Sequence, residues 1–200
     1  MFHIVLLEPE IPANTGNIGR TCLVTGSSLH LIEPLGFILN DKNLKRAGMD
    51  YWKDLNVTVY DSWRDFVWKK ADEIAFPLKT LQDAGYPGLT SEGNLTDPAE
   101  EDPEKARIWM ASTKAPCPHD SASFRDGDYI MFGKESAGIP EEILKDNLNT
   151  TVRIPMARGQ RSLNLSNSAA IVLYEALRQN HYLQLEQEGK FYGTEINQGK

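Results

Sequence analysis

Cysteine is nearly absent. The chain has two, Cys22 and Cys117, far apart in sequence. Neither belongs to a CxxC pair, so no disulfide framework or thiolate zinc site is encoded. Both read as reduced thiols that pack as small apolar groups. Long apolar runs are missing as well, and none approaches the ~20 residues of a membrane span. The opening MFHIVLLEPEIPANTGN has no basic segment ahead of its short apolar run. It is expected to form a first strand rather than a secretion signal, which makes the cytoplasm the expected location. Histidines are few (His3, His30, His119 and His181), and their spacing suits no metal site. No metal is expected. The GK[ST] of a phosphate loop, the GxGxxG of a dinucleotide site and the Ser-His-Asp order of a hydrolase are all lacking.

Positive charge is also in short supply. Lys and Arg number 21 against 28 Asp and Glu, for a net charge of −7. That balance does not by itself point to nucleic acid. The acid is concentrated, however. Residues 77–108 hold three basic and seven acidic side chains, which leaves −3 for the remainder. Basic residues gather elsewhere, at Lys42, Lys45 and Arg46, and again at Arg153, Arg158 and Arg161.

What is present fits one globular domain: 200 residues, 40% apolar and 24% charged. Short β-rich runs alternate with helical stretches. Strands are expected at 2–8, 29–33, 57–60, 108–112, 129–133 and 152–155. Helices are expected at 15–25, 43–47, 63–70, 141–145 and 166–180. Several strands are near-continuous apolar runs, as in sheets covered on both faces. In the last helix Ala169, Val172, Leu173, Ala176 and Leu177 repeat at the spacing of one buried face. The expected class is α/β, a mainly parallel sheet flanked by helices. Residues 81–104, rich in Gly, Pro, Ser and acid, read as a surface insertion whose removal over 82–103 leaves the fold intact. The expected division is one domain over 1–182 with that insertion, and a polar tail over 183–200.

Three segments follow strands and carry small, polar and glycine residues, where parallel sheets bind ligands. In the first, Glu8 to Arg20, Pro9 and Pro12 stiffen the strand exit, and Gly16 and Gly19 allow close approach of backbone. Asn14 reads as a helix N-cap. Asn17 offers an amide and Arg20 a planar five-donor fork suited to phosphate. In the second, Tyr129 to Pro140, Gly133, Glu135 and Gly138 read as a tight turn with one carboxylate, and an ordinary exposed Glu is the plainer reading. In the third, Ser162, Asn164, Ser166 and Asn167 crowd a helix start. One of them suffices to cap it, and the excess points to a ligand. Trp52, Trp63, Trp68 and Trp109 read as packing residues, with Tyr51-Trp52 open to packing or to base stacking.

Together and in this order, the three segments resemble the motifs of the SPOUT superfamily of RNA methyltransferases. The runs IVLLEPEIPANTGNIGRTC, LHLIEPLGF, KRAGMDYW, DGDYIMFGKESAGIP and RIPM…RSLNLSNSAAIVLYEALRQ are similar to its compact tRNA (cytidine(34)-2′-O)-methyltransferase subfamily, the TrmL type. The resemblance spans residues 2–76 and 108–182. It implies a C-terminal trefoil knot, an exception to the rule that chains do not thread loops. It implies S-adenosylmethionine as cofactor, a homodimer with shared active sites, and the anticodon stem-loop of tRNA as partner. By position the cofactor residues are Ala111, Gly133, Ile154 and Ser162, with Met156 and Leu163 nearby. Arg20 is the residue implied to act at the ribose hydroxyl, with Asn14, Asn17, Glu135, Ser166 and Asn167 as orienting or proton-handling groups. Tyr174 is a candidate contact for RNA or the partner subunit. Methylation of another tRNA position or of rRNA, and a non-catalytic RNA-binding role, are the alternatives that the same fold permits.

Overall fold

The computed structural model describes residues 1–39, 50–86 and 104–189. The helix expected at 43–47 and most of the insertion and tail lie outside them. The described residues build a seven-stranded sheet in which every pairing is parallel. In chain order the elements are β1 (His3–Leu7), α1 (Pro12–Thr25), β2 (Ser28–Ile32), a 3₁₀ turn (Asp50–Asp54), β3 (Val57–Tyr60), α2 (Trp63–Lys70) and α3 (Leu78–Asp83). After these come β4 (Ile108–Ala111), β5 (Cys117–Pro118), β6 (Tyr129–Phe132), α4 (Glu141–Asp146), β7 (Thr151–Arg153) and α5 (Leu165–Gln179). The strands lie in the order β3-β2-β1-β6-β4-β7-β5. The chain therefore builds outward from β1 to β3, returns to β4, and inserts β6 between β1 and β4.

Alternation along each strand sends side chains to two cores. Ile4, Leu6, Leu29, Leu31, Ile130 and Phe132 face α1 and α5, where Ile18, Cys22, Ala169, Val172 and Leu173 complete the layer. Val5, Leu7, Ile32 and Met131 face the other way, toward Phe66, Val67, Ile74 and Leu144. Burial of each such side chain contributes about 1.5–3 kcal/mol. Strands buried on both faces explain why the sequence showed apolar runs rather than alternation.

Most expected elements form within a residue or two of their stated limits, and three points are corrected. α1 begins at Pro12, with Ile11 as an N-cap that makes no side-chain bond. Asn14 is thus inside the first turn and is not the cap. Residues 81–86 belong to the folded body: α3 runs to Asp83, Ala84 is buried, and Trp68 Nε1 donates to the Ala84 carbonyl at 2.6 Å. A cut at 82 therefore removes packed structure. The two-residue edge strand β5 escaped notice because nothing so short has a period.

One polar seam crosses the α2 side of the sheet. His3 Nδ1 and His30 Nε2 are 3.0 Å apart, and His30 Nδ1 lies 3.0 Å from the Tyr60 hydroxyl. His3 stacks on Tyr129, whose hydroxyl donates to Glu73 at 3.0 Å. Burial, helped by the Lys70 charge, lowers His3 to about 4 and His30 to about 3. The unfolded chain takes up these protons near 6.5. Between those values the unfolded state binds more protons, so stability must fall as pH falls. Urea unfolding is expected to show a midpoint that drops steadily from pH 6.5 toward 4, and His30→Gln should flatten that dependence. A pH-independent midpoint would contradict the assignment.

Candidate active site

The loops that leave β1, β4, β6 and β7 meet at the carboxyl edge of the sheet. There they enclose a cavity of about 490 Å³ lined by the β6–α4 turn and the β7–α5 loop. The turn begins at Gly133. A Cβ there would lie 2.1 Å from the Gly138 carbonyl carbon and 2.2 Å from the Ile139 nitrogen, so no other residue fits. Gly138, at φ 73°, closes the turn by donating to the Lys134 carbonyl at 2.8 Å.

The turn presents Glu135 to the amino end of α1, which lacks a side-chain cap of its own. One carboxylate oxygen accepts from Glu10 N at 2.8 Å; the other accepts from Ile11 N at 3.2 Å and Asn14 Nδ2 at 2.8 Å. A carboxylate at this position also meets the positive end of the helix dipole. The exchange is reciprocal. Glu10 accepts from Ser136 N at 2.9 Å and Ser136 Oγ at 2.8 Å, and these bonds hold its carboxyl below the ordinary carboxylate value. Lys134 pairs with Glu8 at 2.7 Å. Glu8 adopts φ 51°, an uncommon left-handed conformation for a non-glycine residue.

α5 is tied to the same point. Asn164 caps it by accepting from Ser166 N at 2.9 Å and Asn167 N at 3.3 Å. The other end of that amide, Nδ2, donates to Asn14 Oδ1 at 2.9 Å. Asn14 therefore bridges Asn164 and Glu135, and one continuous chain of hydrogen bonds joins the starts of α1 and α5 to the β6 turn.

Ala111, Gly133, Ile154, Met156, Ser162 and Leu163 all line the cavity, as do Asn14 and Glu135. Arg20 and Asn167 do not. Arg20 is exposed on α1, about two turns beyond Asn14, and its guanidinium lies 5.1 Å from the Tyr51 ring centroid. Asn167 is exposed, and its backbone serves the α5 cap. Sequence reasoning missed Glu8, Glu10, Lys134 and Ser136, whose partners are more than a hundred residues away. Asn164 was visible as one of four polar groups at a helix start, but its bridging role was not.

The cavity suits an elongated ligand with a flat apolar part. Ile154, Met156 and Leu163 supply apolar walls, Gly133 leaves backbone bare, and Ser162 with the loop amides supplies polar contacts. Lys114, Lys134 and Arg161 also lie on its lining, and Lys114 pairs with Glu141 at 2.6 Å. Among the described residues no group of His, Cys, Asp or Glu is arranged to hold a metal, and no helix is long and apolar enough to cross a membrane.

A parallel α/β sheet with a carboxyl-edge cavity defines a ligand-binding α/β protein, and the chain belongs to the SpoU rRNA methylase family, whose model matches residues 1–174. It is 42% identical to the tRNA (cytidine(34)-2′-O)-methyltransferase of Saccharophagus degradans, over 90% of this chain and 96% of that one. A solved structure concerned with 2-OH methylation of C/U34 on tRNA superposes with a TM-score of 0.67 at 37% identity, covering 90% of this chain and 97% of that one. The SpoU methyltransferase AviRb of Streptomyces viridochromogenes, in complex with AdoMet, shares the fold at a TM-score of 0.63 and 22% identity, covering 90% of this chain and 60% of that one. The knotted α/β class expected from the sequence is thus the fold of this chain.

The bridging amide makes a direct test. Asn164→Ala should lower stability by about 1–2 kcal/mol in urea unfolding, through loss of a helix cap and a part-buried bond. Asn164→Asp, which keeps the capping oxygen and loses the donor, should cost less. An Asn164→Asp variant as stable as the parent would show that the bridge to Asn14 contributes nothing, and equal losses in the two variants would show the same of the cap.

Proposed function

We propose that this protein is an S-adenosylmethionine-dependent tRNA methyltransferase that transfers a methyl group to the ribose 2′-hydroxyl of the wobble nucleotide. The observation that carries the reading is the joint construction of the cavity by the Gly133 turn and the 154–164 loop, both bonded to Asn14 on the helix that bears Arg20. Near full-length similarity to a tRNA (cytidine(34)-2′-O)-methyltransferase supports the choice of substrate.

When bound, S-adenosylmethionine supplies a methyl group already activated on a sulfonium sulfur. Ile154, Met156 and Leu163 would hold the adenine, and Ala111, Gly133 and Ser162 would hold the rest through backbone and hydroxyl groups. The protein's own task is to set the ribose oxygen in line and favour loss of its proton. Arg20 cannot be the base, because a guanidinium keeps its proton above pH ~12. It holds an RNA phosphate and stabilises negative charge as it develops on the oxygen. Glu135 already accepts three hydrogen bonds from the start of α1. That occupancy favours a positioning role for Glu135 and leaves the ribose proton to a phosphate oxygen or water.

The reading includes a homodimer. α1 and α5 pack side by side, and their outer faces expose Val24 at 62%, Ile171 at 39% and Tyr174 at 45%. A second copy covers this apolar strip. Arg20, which lies outside the lining of its own chain's cavity, then serves a site shared between subunits, and Tyr174 contacts the partner or the RNA. A cytoplasmic location, with the tRNA substrate, follows from the same reading.

Nucleoside mass spectrometry of tRNA from cells lacking this protein should show loss of 2′-O-methylation at position 34. An unchanged wobble nucleotide would overturn the assignment. With purified protein, Arg20→Ala should keep S-adenosylhomocysteine binding by calorimetry and lose methyl transfer by about a hundredfold or more.

A further inference from the structure

Arg20 stands on the exposed face of α1. An arginine there samples many rotamers, and fixing it costs side-chain entropy. A guanidinium that must meet one oxygen at one moment needs a support, and the 3₁₀ turn at Asp50–Asp54 provides one.

This turn docks on α1 at two glycines. A Cβ on Gly19 would lie 3.0 Å from Leu55 Cδ2 and 3.1 Å from Trp52 Cζ3, so the turn could not sit as close against a larger residue. One turn earlier, the Gly16 carbonyl accepts a hydrogen bond from the Tyr51 hydroxyl. In an α-helix that carbonyl is also the acceptor for the amide of Arg20, four residues on. The phenol is thus pinned to the turn of helix from which Arg20 projects. Arg20 Cζ lies 5.1 Å from the centre of the Tyr51 ring, within the ~6 Å range of cation–π attraction. Burial raises the Tyr51 phenol above its ordinary value, against the pull of the Arg20 charge, so the hydroxyl remains a donor. The phenol oxygen also accepts a hydrogen bond from the Arg20 side chain, and the remaining guanidinium N–H donors stay available for phosphate and ribose oxygens.

We propose that Tyr51 is a positioning residue for methyl transfer: its ring, anchored at the Gly16 carbonyl, holds the Arg20 guanidinium in its working orientation. Tyr51 itself touches neither cofactor nor RNA in this scheme. The proposal rests on the role given above to Arg20.

The test uses the full-length protein, the tRNA anticodon stem-loop and S-adenosylmethionine, with single-turnover rates at saturation. Tyr51→Leu should slow transfer about tenfold, with S-adenosylhomocysteine binding and the RNA KM unchanged within about twofold. Tyr51→Phe, which keeps the ring and loses the hydroxyl anchor, should recover part of the rate. A folded Tyr51→Leu variant that binds S-adenosylhomocysteine and transfers at the normal rate overturns the proposal. Packing is separated from electrostatics by placing phenylalanine and then mono-, di- and trifluorophenylalanine at position 51. Fluorine keeps the ring's shape and drains its negative face, so the rate should fall stepwise along the series. A flat series overturns the proposal, even if Tyr51→Leu fails to fold. Full activity of Arg20→Ala would instead remove Arg20 from the mechanism, a failure of the functional reading that the Tyr51 series cannot mimic.

Discussion

The chain enters α1 at the carboxyl edge of the sheet through the amides of Glu10 and Ile11, and the carboxylate of Glu135 accepts from both, from a turn more than a hundred residues away. The rest of the site depends on that meeting. An uncapped helix start costs roughly 1 kcal/mol, and a carboxylate there also gains from the helix dipole. Asn14 extends the contact to Asn164, so the start of α5 is held by the same network. The cavity is the space left between these three bonded segments, and its shape follows from their spacing.

Such a network is stable only if each member is satisfied, because a half-paired polar group in a partly buried place is costly. The arrangement meets that demand by sharing. Glu135 serves two amides and a side chain, Glu10 answers through Ser136, and Asn164 turns one end to its helix and the other to Asn14. Small residues make room for it. Gly133 and Gly19 each sit where a Cβ would strike a neighbour, one under the turn that carries Glu135 and one under the turn that carries Tyr51. The same logic therefore recurs at the cavity and at Arg20: glycine lets backbone approach, and a polar contact then fixes the geometry.

The two faces of the sheet divide the work. The α1–α5 face carries the groups assigned to binding and transfer, and its outer surface is where a second copy is expected. The opposite face holds the His3–His30–Tyr60 seam, kept neutral by burial, and contributes only to the stability of the sheet. That separation explains why a histidine-poor enzyme can keep its buried histidines out of the chemistry.

The strands and long helices were legible in the sequence because periodicity and burial are local: Val57–Tyr60 and Trp63–Lys70 form where the pattern put them, and α5 follows its apolar spacing. Glu135, Ser162 and Asn164 stood in segments that strand ends and polar crowding marked as candidate ligand sites, but their meeting in one cavity was legible only through resemblance to a family, since nothing in spacing links Gly133 to Ser162. Tertiary structure decided the remainder. It moved Asn14 from cap to bridge, turned Glu135 from an exposed carboxylate into the cap of α1, packed residues 81–86 onto α2, and set Tyr51 beside Arg20. Each depends on partners brought close by the order of strands, and a hydrogen bond reaching 3 Å across a hundred residues leaves no trace in local pattern.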